Sequence, residues 1–246
     1  MEDRLQRALK HISRFVEQVG VLISSITIED LIEKGGLNPY IVAALQVNSF
    51  REIAELFVYR RVERSLGTSF GFTMEAFLRE LLGGIRGREH RLCREGRGWI
   101  CWWDIVIDRE FREGEATWKG KVLSVKSGPA DVNKDIVERF VEHAKEAIDN
   151  GYRPYLVLTY GKRAFAVAES TLESHGYDPE EYLRVGRGVF KEFLGNPDLY
   201  DTIIDAMRGV GGVDIFDMLE RKVDELAKKL EERYGGDVVK FLRSLS

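Results

Sequence analysis

Trp102-Trp103-Asp104-Ile105-Val106-Ile107 and Val122-Leu123-Ser124-Val125-Lys126 are the two stretches whose reading decides the fold. Each is an apolar run rich in β-branched or aromatic residues that holds a single charge, and each reads as a strand. The first is expected to cover 99–108 and the second 121–126. An acidic turn around Glu113-Gly114 and a further strand near 115–119 lie between them, so the pair reads as an antiparallel hairpin. An isolated charge in such a strand is costly unless it is paired or binds a metal. A structural salt bridge between Asp104 and Lys126 is the plain explanation of both.

Working outward from the hairpin, the segment 83–98 is arginine-rich. It holds Arg86, Arg88, Arg91, Arg94 and Arg97 against Glu89 and Glu95. Two readings stay open for it, a solvated loop and a segment that contacts phosphate. A helix over 73–82 precedes it. After the second strand, 133–150 is strongly helical and stops at Gly151, a natural C-cap. Strands are expected at 155–159 and 164–168, joined by a turn at Tyr160-Gly161-Lys162. Beyond them the chain reads as helical to its end. There the stripe Leu219, Val223, Leu226, Leu230, Tyr234 marks an amphipathic helix.

The first 72 residues also read as helices. Thr27 with Asp30 and Ser49 with Glu52 have capping-box spacing, and Asn38-Pro39 sets an N-cap before a proline at the first helical position. The order predicts an α/β (α+β mixed) chain: a central mixed sheet flanked by helices, with added N- and C-terminal helices. The divisions expected are a helical region at 1–72, a core at 73–170 and a C-terminal helical region at 171–246 of the same domain.

With 246 residues the chain can bury a sizeable core without disulfides. No run is long and apolar enough to cross a membrane, and a cytoplasmic protein is expected. Cys93 and Cys101 form no metal pattern and are expected to be reduced. The net charge of −4 argues against a protein that coats nucleic acid over its whole surface. It leaves room for a local basic strip beside metal-binding carboxylates. Three Gln and five Asn beside 32% charged residues suggest the ion-paired surface of a thermophile's protein.

An aspartate opening one strand of a hairpin, a lysine closing the next and a helix after it resemble the PD-(D/E)xK nuclease superfamily, and within it the type II restriction endonucleases. The likeness covers roughly residues 73–168. The run Ser124-Val125-Lys126-Ser127-Gly128-Pro129, with Asn133-Lys134-Asp135 beyond it, adds to the likeness. One position departs from the pattern: Ser124 stands where the family has Glu or Asp. A branch with Ser/Thr-x-Lys takes its second carboxylate from the following helix, where Glu138 and Glu142 are the choices; Glu138 lies nearer the buried stripe and is preferred. Glu75, on the helix before the arginine segment, is another acid that the family pattern favours.

The resemblance implies restriction-endonuclease architecture and Mg²⁺-dependent, sequence-specific cutting of double-stranded DNA that leaves 5′-phosphates. Asp104, the Val125 carbonyl and either Glu138 or Glu75 would hold the ion, while Lys126 would position the attacking water. Arg86, Arg88, Arg91, Arg94, Arg97, Lys162 and Arg163 are candidates for phosphate contacts, and Asn133 and Lys134 for base or phosphate contacts. Duplex DNA and a second copy of the chain, as a homodimer, are the partners expected. Two other readings keep the scaffold: a structure-specific or repair nuclease, and a DNA-binding protein without catalysis.

Overall fold

A computed structural model describes residues 2–210 and 214–245. In chain order the helices are α1 (Glu2–Ser25), α2 (Ile28–Ile32), α3 (Pro39–Ala44), α4 (Phe50–Leu82), α5 (Arg91–Arg94) and α6 (Gly98–Cys101). Strands β1 (Ile105–Ile107), β2 (Phe111–Glu113), β3 (Ala116–Trp118) and β4 (Gly120–Lys126) follow, then α7 (Lys134–Asp149) and β5 (Tyr152–Leu158). The chain continues through α8 (Ala166–Ser174), α9 (Pro179–Tyr182), β6 (Leu183–Val185), α10 (Arg187–Leu194) and α11 (Leu199–Gly209). It closes with α12 (Ile215–Tyr234) and α13 (Val238–Arg243). This is the mixed α/β class expected, a mixed sheet among helices. None of the described helices is long and apolar enough to cross a membrane.

The chain divides into two compact units, 1–12 with 70–210 and 13–69 with 211–246. The first holds a four-stranded sheet in the order β1-β4-β5-β6. β1 is antiparallel to β4, with Ile105 opposite Leu123, whereas β4, β5 and β6 run parallel. β5 is buried along its whole length, as a strand covered on both faces must be. Ile105, Leu123, Val125, Tyr155 and Val157 pack with Phe77, Leu78 and Leu81 of α4. On the other face Val106, Val122, Leu156 and Leu158 pack with Val137, Phe140 and Ala144 of α7. Side-chain alternation therefore sends Ser124 and Lys126 toward the α7 side.

The second unit is all helical, with a core that includes Ile23, Leu31, Val42, Ile53, Val58, Leu226, Leu230 and Phe241. The Thr27/Asp30 capping box forms, and Asn38 caps α3 with Pro39 at its first position. Ser49 and Glu52 exchange reciprocal backbone bonds at 3.1 and 3.2 Å.

Several elements differ from expectation. The helix expected at 73–82 is the end of the 33-residue α4, which runs through Gly67 and Gly71. Each glycine costs such a helix about 1 kcal/mol, which burial of Val62, Met74, Phe77 and Leu78 along the same helix offsets. At Gly71 a Cβ would approach Ser127 Oγ to 3.2 Å, a tight contact that the serine hydroxyl would have to move to relieve. The strand expected over 99–108 shrinks to Ile105–Ile107, since Gly98–Cys101 turns helical. A strand would send Trp102 and Trp103 to opposite faces; here they meet edge to face at 4.9 Å, and Trp103 packs on Phe140. Residues 115–119 join β2 in a separate ribbon turned at Gly114, whose φ is +58°.

Residues 164–168 are not a strand either. α8 begins there, and Ala168, Thr171 and Leu172 face inward at helical spacing. Short apolar runs do not distinguish the two periods. β6, in a region expected to be helical, is three residues long and pairs with β5. Cys93 and Cys101 are not reduced but joined in a disulfide, with their Cα atoms 5.2 Å apart.

Candidate active site

Asp104 and Lys126 come together at one end of the β1–β4 pair. The Asp104 N–H donates to the Leu123 carbonyl at 3.0 Å, extending the β1–β4 ladder by one residue. Its carboxylate Oδ2 accepts the Val125 N–H at 2.7 Å and lies 3.6 Å from Lys126 Nζ. Lys126 Nζ also donates to the Val125 carbonyl at 3.0 Å and the Ser124 hydroxyl at 3.3 Å. Both charged side chains keep about a quarter of their surface exposed, so they are neither sealed in the core nor loose on the surface.

The loop after β4 is fixed by its own residues. Thr159 N–H donates to the Lys126 carbonyl at 3.1 Å, and Thr159 Oγ1 donates to the Ser127 carbonyl at 2.5 Å. Gly128 N–H donates to Asp131 Oδ2 at 3.0 Å, and a side chain at Gly128 would collide with the Tyr160 ring. The Ser127-Gly128-Pro129 run therefore needs its glycine for packing.

Glu75 reaches the same place from α4. Burial, followed by the negative charge of Asp104, raises its carboxyl above the usual range, against the opposing pull of Arg86 and Arg79. Arg79 lies 3.2 Å and Arg86 3.4 Å from Glu75 Oε1. Burial, then the neighbouring Arg86, depresses the guanidinium of Arg79. Glu75 thus sits between Arg79 and Arg86 and feels the charge of Asp104, which is itself paired with Lys126. Arg79 was not singled out from the sequence, although its position four residues after Glu75 on a helix is the signal of an ion pair.

Glu138 is held differently. It projects from α7 and pairs with Lys134, one turn earlier, at 3.4 Å. Asn133, expected to contact DNA, spends its Oδ1 capping α7 through the Ile136 N–H at 3.0 Å. Of the arginine segment, Arg86 joins Glu75 and Arg91 pairs with Glu95 at 2.7 Å. Arg88, Arg94 and Arg97 are exposed, as are Lys162 and Arg163. His90 anchors the segment. It is buried, accepts the Leu92 N–H on Nδ1 at 3.0 Å, and therefore donates from Nε2 to Asp108 at 2.7 Å. Tyr152 donates to the other oxygen of Asp108 at 2.9 Å.

A magnesium ion takes oxygen ligands only and is held by as few as one or two carboxylates. Asp104 and Glu75 fit that requirement: they are all-oxygen donors, and their mutual repulsion is of the kind a divalent cation relieves. The Val125 carbonyl is a further oxygen beside them. Among the described residues, no group of three or more His, Cys, Asp or Glu side chains is arranged to hold a metal. No family model matches the chain, and no curated protein matches it.

Proposed function

We propose that this protein is a type II restriction endonuclease, a deoxyribonuclease that cuts duplex DNA at a specific sequence with Mg²⁺ and leaves 5′-phosphates. The observation that carries the reading is the pairing of Asp104, just before β1, with Lys126, at the end of β4, Nζ lying 3.6 Å from the carboxylate, while Glu75 of α4 feels the charge of the same aspartate. Asp104 and Glu75 would hold the ion; bound there, Mg²⁺ supplies charge stabilisation at the scissile phosphate. The Lys126 ammonium orients the attacking water and stabilises negative charge as it develops. Arg86, exposed beside Glu75, offers a guanidinium to a non-bridging phosphate oxygen. Water attacks phosphorus, the bond to the 3′ oxygen breaks, and the phosphate remains on the 5′ end.

Between the two acids offered for the second place, the charge coupling of Glu75 to Asp104 favours Glu75. Glu138, in its pair with Lys134, is then dispensable. The test is digestion of unmethylated phage DNA with Mg²⁺ over a range of temperatures, with the fragment ends sequenced. Discrete fragments with 5′-phosphates are expected. Asp104→Asn, Lys126→Ala and Glu75→Gln should each cut at least about 10²-fold more slowly, the scale of losing one stabilising group. Glu138→Ala should cut normally. Near-normal cutting by Asp104→Asn or Lys126→Ala would overturn the reading. Ser124, a buried hydroxyl where an acid would help hold metal, favours one other reading, DNA binding without cleavage. Absence of any Mg²⁺-dependent cutting, with duplex binding retained, would select it.

A further inference from the structure

The helical unit carries a basic pocket that the proposed reaction does not use. Its volume is about 430 Å³, and Lys34, Arg60, Arg61 and Arg64 stand in its wall against one acid, Asp30. That acid is committed elsewhere. Asp30 Oδ1 takes Lys34 Nζ at 2.7 Å and Oδ2 takes the Thr27 N–H at 3.1 Å. Lys34, then Thr27, holds its carboxyl below the usual range. Arg60, Arg61 and Arg64 are exposed and make no ion pair among the described residues.

Several arginines of the chain do meet an acid along the same stretch of helix. Arg51 meets Glu55 at 3.0 Å, Arg91 meets Glu95 at 2.7 Å, and Arg221 meets Asp217, each one turn away. Arg60 and Arg64 are instead like charges one turn apart, which destabilises a helix. The turn beside them is bare. Gly35, at φ +62°, has nothing within 4 Å of where a side chain would begin, and a side chain at Gly36 would run into Phe57.

We infer that this pocket binds the phosphodiester backbone of duplex DNA, as a second contact in addition to the residues around Asp104. The inference rests on the proposed function only in taking DNA as the polyanion. Guanidinium forks match phosphate oxygens two at a time. Arg60 to Arg64 spans about 6 Å of helix axis, while duplex DNA carries one charge per about 1.7 Å of its own axis. A membrane surface fits less well, because interfacial binding needs an apolar flank to insert. The apolar members of this wall are Leu22 and Phe57, and Phe57 is buried.

The test compares the full-length protein with Arg60→Gln/Arg61→Gln/Arg64→Gln, using a fluorescent duplex in Ca²⁺ across a salt series. Loss of three phosphate contacts should lower the slope of log affinity against log salt by about 2.7 and weaken binding at low salt. Thermal unfolding of the variant should be unchanged or raised, since like charges are removed. An unchanged slope beside a wild-type protein that binds duplex would overturn the pocket while leaving the nuclease reading intact. A reduced slope in a protein that never cuts DNA would do the reverse. Loss of binding to anionic phospholipid vesicles with duplex binding untouched would also overturn it, assigning the pocket to membranes. A wild-type protein that does not bind duplex would end both readings.

Discussion

Glu75 shows how the candidate site sets charge against stability. Its carboxyl titrates higher in the folded protein than in the unfolded chain, because of burial and then Asp104. The folded state therefore binds the proton more tightly, and stability is lost as pH rises from the ordinary glutamate value through the raised one. Glu75→Gln removes that penalty. It should melt at least as high as the wild type at pH 7, and the two should converge near pH 4; a variant that melts lower at pH 7 would show that Arg79 and Arg86 need the carboxylate more than Asp104 repels it. Asp104 and Lys126 were legible in the sequence because single charges inside apolar strands have few uses. The preference for Glu138 came from the missing acid at Ser124 and a helical stripe. The coupling of Glu75 to Asp104 depends on where α4 crosses the sheet, which no local pattern reports.

His90 governs the element that carries the arginines. With Nδ1 occupied by the Leu92 N–H, the ring is fixed in the tautomer that donates to Asp108, and Tyr152 donates to the same carboxylate. His90→Ala removes a nearly fully buried donor and uncaps α5. It should cost about 1–3 kcal/mol of stability and raise hydrogen exchange over 87–101. Exchange in that segment equal to the wild type would mean that other contacts anchor it. Element by element, long periodic stretches were readable: α7 with its Asn133 cap, α12 with its five-residue stripe, and the β1–β4 pairing. The 99–108 and 164–168 segments were not. Their tryptophans, alanines and valines suit strand and helix alike, and tertiary contacts decide: Trp102 stacks on His143 at 4.4 Å, and Ala168 packs inward.

For the whole molecule, alkaline pH offers a clean test of packing in the sheet unit. Burial, then Asp108, pushes the Tyr152 hydroxyl up to about 12, and burial with Glu192 pushes Tyr155 up as well. An unfolded tyrosine ionises near 10, so the folded state holds these protons longer and stability falls from pH 10 to 12. Tyr152→Phe should flatten that fall in a series of urea midpoints, at the cost of a hydrogen bond at neutral pH. A wild-type-like decline would place the alkaline sensitivity elsewhere. The mixed sheet among helices was legible from the alternation of patterns along the chain. The division into units built from separated stretches was not, because α1 and α4 each contribute to both and no composition change marks the boundary.

The Cys93–Cys101 link encloses Arg94 and Arg97 in a small ring. Opening so short a ring releases about 2–3 kcal/mol of restraint on the unfolded chain. Purified with a thiol reagent or without one, this protein would be two preparations that share a sequence but present those arginines on a tethered or a slack backbone. Under the proposed nuclease reading, batch history as well as salt would then enter any measured affinity for duplex DNA.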